Sequence, residues 1–187
     1  MKTILLGLIL TCMTIVEGYA QQEPIKLKVD NNNAYYQNVV KVDSTIKVSA
    51  IYTRALQFMA AKNFQQTYGY EQEGKLIFTS SQDLNVTPYT SDNDPIDPYG
   101  VQFAITLDMK NGRYRYTINN VLFFIPTESG NRRLTLYEVY QKSTGDSRRV
   151  AKEANNLIAS FERYITTLTG ELYVEIEHKA AIYNSKF

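Results

Sequence analysis

Two stretches of strict alternation flank the dipeptide Asn111-Gly112, and they constrain the fold more than any other part of the chain. Val101, Phe103, Ile105, Leu107 and Met109 alternate with Gln102, Ala104, Thr106 and Asp108. A period of two marks a strand with one buried face. A second strand is expected from Arg113 to Ile125. Asn-Gly between them predicts a two-residue type I′ turn, in which both central residues take positive φ. A loop of that length fixes the register. It sets Met109 opposite Tyr114, Leu107 opposite Tyr116 and Ile105 opposite Ile118 on one face. On the other face Asp108 meets Arg115 and Thr106 meets Thr117, each pair worth roughly 0.2–1 kcal/mol. A one-residue slip would put Leu107 and Met109 into water.

The rest of the chain builds around this hairpin. Ile51, Ala55, Phe58 and Met59 recur at helical spacing and predict a helix over 47–63, capped by Ser44, Thr45 or Ser49. Val39–Val42 reads as a short strand before it. Gln65–Glu71 and Lys75–Val86 read as strands joined at Glu73-Gly74. Leu134, Leu136, Glu138 and Tyr140 alternate, which predicts an edge strand. Val150, Ala154, Leu157, Ile158, Phe161, Ile165 and Leu168 form an apolar stripe. They predict a helix over 147–168 that ends at Gly170. In the tail after it, alternation at Leu172, Val174 and Ile176 competes with helix-favouring Ala180-Ala181. Both predicted helices have a single apolar stripe. They should therefore cover one face of an antiparallel sheet, an α+β fold.

Residues 1–20 read as a secretory signal. Lys2 starts it, Ile4–Val16 is apolar but short for a membrane span, and Gly18-Tyr19-Ala20 places cleavage after Ala20. The protein is then expected outside the cytoplasm, periplasmic or extracellular. In the competing reading Ile9-Leu10-Thr11-Cys12 is a lipobox. Membrane contact is expected only if Cys12 is lipidated. Residues 21–38 form a polar lead holding Pro24 and Asn31-Asn32-Asn33, either a short edge strand at Ile25, Leu27 and Val29 or a tether. The folded domain is expected over 39–169, with a tail over 170–187.

Two runs carry a resemblance. Ile51-Tyr52-Thr53-Arg54-Ala55-Leu56-Gln57-Phe58 is similar to a helix signature of the form lYxrAxxwf. Asp108-Met109-Lys110-Asn111-Gly112-Arg113-Tyr114-Arg115-Tyr116 is similar to a hairpin close to KDGRYRY. Together they resemble a domain of unknown function with a TATA-binding-protein-like fold, found in exported proteins of Bacteroidetes-type bacteria. Asn111 stands where Asp is commoner, and Phe58 where an aromatic residue, often Trp, is expected. The resemblance covers roughly 39–168 and implies the order β-α-β(4)-α, with two helices packed on one face of the sheet. It implies no activity and supplies no catalytic residue.

Composition narrows the chemistry. Cys12 is the single Cys and His178 the single His, which removes disulfides and Cys/His metal clusters from the processed chain. It also removes the usual Cys-His pair, and leaves no Ser-His pair unless His178 serves. A net charge of +1 gives nucleic acid no electrostatic footprint. The open sheet face carries no apolar wedge near the turn of the kind a minor-groove reader needs. Asp92, Asp94 and Asp97, in a Pro-containing loop, are candidate oxygen ligands for Ca²⁺, though their spacing is not that of an EF-hand. Arg113, Arg115 and Tyr99 are candidate ligand-binding residues, the arginines as grips for carboxylate or phosphate. No cofactor is expected.

These readings favour a non-catalytic binding or structural module of the bacterial envelope, with an envelope protein or glycan as partner. The alternatives are an envelope glycan hydrolase, which needs two carboxylates about 5–9.5 Å apart in a pocket, and an inhibitor of a partner enzyme.

Overall fold

The computed structural model describes residues 25–84, 99–127 and 130–184. Seven described strands form one antiparallel sheet. They are β1 (Leu27–Asp30), β2 (Asn33–Lys41), β3 (Gln65–Tyr70), β4 (Lys75–Leu84), β5 (Tyr99–Lys110), β6 (Arg113–Thr127) and β7 (Gly130–Thr135). Their order is β1-β2-β6-β5-β4-β3, with β7 also on β6. The 15-residue β6 makes this possible. Its first half pairs with β2 from Tyr36↔Ile118 to Lys41↔Arg113, and its second half with β7 from Leu122↔Thr135 to Thr127↔Gly130.

The expected register of the central hairpin holds at every pair: Met109↔Tyr114, Leu107↔Tyr116, Ile105↔Ile118, Asp108↔Arg115 and Thr106↔Thr117. The turn differs from the expected one. Only Gly112 has positive φ, at +69°, which is the sign pattern of a type II rather than a type I′ turn. The residues with two consecutive positive φ values are Asn31 (+47°) and Asn32 (+63°), closing the β1–β2 hairpin at Asp30↔Asn33. Part of the polar lead is therefore sheet. Beyond Asn119 the pairing shifts, and Asn120, at φ +52°, is the extra residue of a bulge opposite Phe103.

Three helices are described, where two were expected. They are α1 (Val48–Ala61), α2 (Leu136–Ser143) and α3 (Arg148–Asn184). The predicted edge strand at 134–141 is instead the end of β7 followed by α2. Thr135 and Glu138 form a capping box there: the Glu138 N–H donates to Thr135 Oγ1 at 3.2 Å, and the Thr135 N–H to Glu138 Oε2 at 2.7 Å. Helix α3 does not stop at Gly170. Leu172 and Ile176 continue its buried stripe, so the tail is helical through Asn184. A Schellman motif ends α1. Phe64 N–H donates to Met59 O and Asn63 N–H to Ala60 O, both at 3.0 Å, with Asn63 at φ +61°.

The core lies between the helices and one sheet face. Phe161 of α3 is its centre, meeting Tyr36, Phe103 and Phe123 edge-on with ring centroids 5.9, 5.4 and 5.7 Å away. Three tyrosine hydroxyls from β2 and β6, those of Tyr36, Tyr114 and Tyr116, are buried beneath α3 without a hydrogen-bond partner. Glu162 lies near enough to Tyr36 to act on its ionisation, and Thr169 and Asn38 lie beside Tyr116. No helix among the described residues is long and apolar enough to cross a membrane.

Candidate functional site

Among the described residues no helix covers the second sheet face. Strand pairing arranges its side chains in rows. One row runs Tyr70, Lys75, Asp108, Arg115, Val39, and the next Tyr68, Ile77, Thr106, Thr117, Gln37. A third runs Gln65, Thr79, Ala104, Asn119. At the centre of the first row Arg115 Nη2 donates to Asp108 Oδ2 at 2.8 Å and its Nε to the same oxygen at 3.2 Å. Both groups are substantially exposed, so the pair orients more than it stabilises. In the second row Gln37 Nε2 donates to Thr117 Oγ1 at 3.1 Å. Val39, at 53% exposure, and Tyr68 and Tyr70, at 43% and 44%, are the large apolar residues this face offers to solvent.

The structure separates the three predicted ligand-binding residues. Arg113 and Arg115 share the open face, Arg113 beside Lys41 and Lys110. Tyr99 sits at the far end of β5, in phase with Val101 and Phe103, and so on the helix-covered face. Burial pushes its hydroxyl ionisation up, with the charge of Glu153 adding to the effect. The candidate Ca²⁺ residues Asp92, Asp94 and Asp97, the leader with Cys12 and Ala20, and the His178 side chain lie outside the described residues. Among the described residues no three His, Cys, Asp or Glu side chains group as a metal would need.

A shallow depression of about 330 Å³ is lined by Arg132, Leu134, Glu138, Gln141 and Lys142. Its one carboxylate, Glu138, is committed to the α2 cap. The Thr135 backbone N–H, then the Thr135 hydroxyl, hold it below the usual carboxylate range. A carboxylate kept ionised in this way makes a poor proton donor, and among the described residues no second acid lines the depression.

Sequence reading gave β3 no role. Its signal was a lack: Gln65-Gln66-Thr67-Tyr68-Gly69-Tyr70 has no aliphatic side chain for a core, so its tyrosines face solvent at a sheet edge.

Rows of polar side chains over a helix-backed antiparallel sheet define an α+β protein of TBP-like fold. Residues 36–124 match the family model described as "Domain of unknown function (DUF4468) with TBP-like fold". The match runs from β2 into β6 and so contains both α1 and the central hairpin. A crystal structure of a TBP-like protein from Parabacteroides distasonis is similar at a TM-score of 0.64 and 9% identity, covering 80% of this chain and 96% of that one. A DUF4468 family protein from Bacteroides ovatus is similar at 0.62 and 12% identity, covering 79% and 90%. At these identities the likeness is one of fold. No curated protein matches the chain.

Proposed function

We propose that this protein is an exported binding module of the bacterial envelope whose working surface is the helix-free sheet face. The observation that carries the reading is the pattern of that face. Side chains of five strands stand in register there, with a central Arg115–Asp108 pair and exposed Tyr68, Tyr70 and Val39 around it. Tyrosine suits such a surface because it presents a rigid apolar ring and a polar tip at low entropic cost. Export rests on the leader pattern of residues 1–20.

Two measurements test this. Fractionation with N-terminal sequencing should find the chain in the envelope or medium, starting at Gln21. An uncleaved cytoplasmic chain would sink the export half. Affinity capture from envelope extract should recover a partner that an Arg113→Ala/Arg115→Ala variant loses. Equal capture by both would move the working surface away from the hairpin.

A further inference from the structure

We propose that Tyr68 and Tyr70 form a stacking site for an extended neutral glycan at the β3 edge of the open face. The proposal rests on that face being the binding surface and names its ligand class. Tyr68 and Tyr70 are the exposed large aromatic residues among those described. They lie two residues apart on one strand, opposite Ile77 and Lys75, and so present two neighbouring rings on the same side, roughly 7 Å apart along the backbone.

Both rings are held before any ligand arrives. Tyr70 Oη donates to Gln72 Oε1 at 2.9 Å, and Tyr68 Oη to Glu73 Oε2 at 3.4 Å. The acceptors belong to the 3-10 turn Glu71–Glu73, which Gly74 closes at φ +61°. Holding a surface in its bound form lowers the entropic cost of binding. Gly69 between the two tyrosines serves the same end. A Cβ there would displace the Gln66 amide and crowd the Tyr52 hydroxyl of α1, 2.8 Å away, so glycine leaves room for these two side-chain ends beneath the strand.

The charges beside the rings are of opposite sign, Lys75 across from Tyr70 and Glu73 at the Tyr68 hydroxyl. Strand β3 itself contains no Lys, Arg, Asp or Glu and carries the amides and hydroxyl of Gln65, Gln66 and Thr67. Amides and hydroxyls beside two aromatic rings match a polyhydroxylated ligand whose sugar rings have an apolar C–H face. Addition of a peptide strand to the edge fits less well. The register shift between Gln66 and Tyr68 breaks the even row of backbone groups that strand addition requires.

The test uses the full chain and β-linked hexaoses of glucose, xylose and N-acetylglucosamine, with polygalacturonate as a charged comparison. Calorimetry and tyrosine ring NMR shifts are read. At least one neutral hexaose is expected to bind and to shift the Tyr68 and Tyr70 resonances. Tyr68→Ala/Tyr70→Ala should weaken it at least about tenfold, the factor that 1.4 kcal/mol makes. Tyr68→Phe/Tyr70→Phe, which keeps the rings but loses their hydroxyl bonds to Gln72 and Glu73, should bind more weakly than the native chain and more tightly than the alanine variant, and guards against a folding defect. Undiminished binding by the double alanine variant, or binding of polygalacturonate alone, overturns the site. Capture of an envelope protein on the open face with no hexaose bound overturns the glycan inference and leaves the binding-module reading standing. No glycan bound and no partner captured defeats both.

Discussion

Asn111 Oδ1 accepts the Val48 N–H at 2.9 Å, across 63 residues of sequence. The residue at the N-cap position of α1, Lys47, has no side-chain oxygen to do this, and the hairpin turn supplies the cap instead. The hairpin run that resembles one family signature thus caps the helix that carries the other.

Replacing Asn111 by Ala should cost about 1 kcal/mol, as loss of a cap does. Asn111→Asp should match or exceed the native protein at neutral pH, because a carboxylate at a helix N-terminus gains about 0.3–1 kcal/mol. Urea unfolding of the three proteins decides. An alanine variant as stable as the native protein would mean that the contact contributes nothing.

Gly112 and Gly170 should respond to alanine in opposite directions. At Gly112, φ is +69° and a Cβ would meet Ser44 Cα at 2.9 Å, so Gly112→Ala should lose about 2 kcal/mol or more. Gly170 lies inside α3 with nothing within 4 Å of an added Cβ. Gly170→Ala should gain roughly 0.5–1 kcal/mol. Thermal unfolding of both variants reads this directly, and a stabilised Gly112→Ala would contradict the geometry of the turn.

Tyr114→Phe should leave the protein equally stable or raise its stability by about 1 kcal/mol. Its hydroxyl is buried without a partner, and such a group costs about 1–3 kcal/mol. Burial also drives its ionisation far above the usual tyrosine range, with Tyr116, Tyr173 and Glu177 adding to the effect. A loss of more than about 1 kcal/mol on removing the oxygen would show that the hydroxyl is bonded in solution.

Burial pushes the Glu162 carboxyl above its ordinary value of 4.5, an effect the nearby Tyr36 hydroxyl partly offsets. The folded state then binds this proton more tightly than the unfolded chain. Its contribution is fully present below 4.5 and is lost as pH rises through the raised value. Glu162→Gln should therefore raise Tm relative to the native protein at about pH 7 and not at about pH 3.5. An equal rise at both would put the cause in packing rather than charge.

The central hairpin was legible because pattern and turn length say the same thing twice: alternation names the buried face and Asn111-Gly112 fixes the pairing. The turn type was not, since Asn111 is turned to a helix end that only the fold brings near. Helix α2 was misread because Leu134, Leu136, Glu138 and Tyr140 alternate, while the Thr135-x-x-Glu138 capping signature within that stretch carried the answer. The end of α3 was misplaced because Gly170 resembles a stop. Leu168, Leu172 and Ile176 keep helical spacing across it, and burial along that stripe outweighs the cost of one glycine. At the candidate site, Arg113 and Arg115 followed from the register. Tyr99 did not join them, because position along β5 puts it in phase with the core.

The pairing of β2 with β6 also decides when the fold can form. Tyr36 meets Ile118 and Lys41 meets Arg113, so the N-terminal hairpin has no sheet to join until the chain has been made past β6. The cap of α1 waits on the same stretch. Closing such distant contacts costs loop entropy before any burial rewards it, which slows folding relative to a locally paired sheet. A nascent chain ending before residue 111 would hold neither the helix cap nor the strand at the middle of its own sheet, and it would stay threadable until most of it had been synthesised.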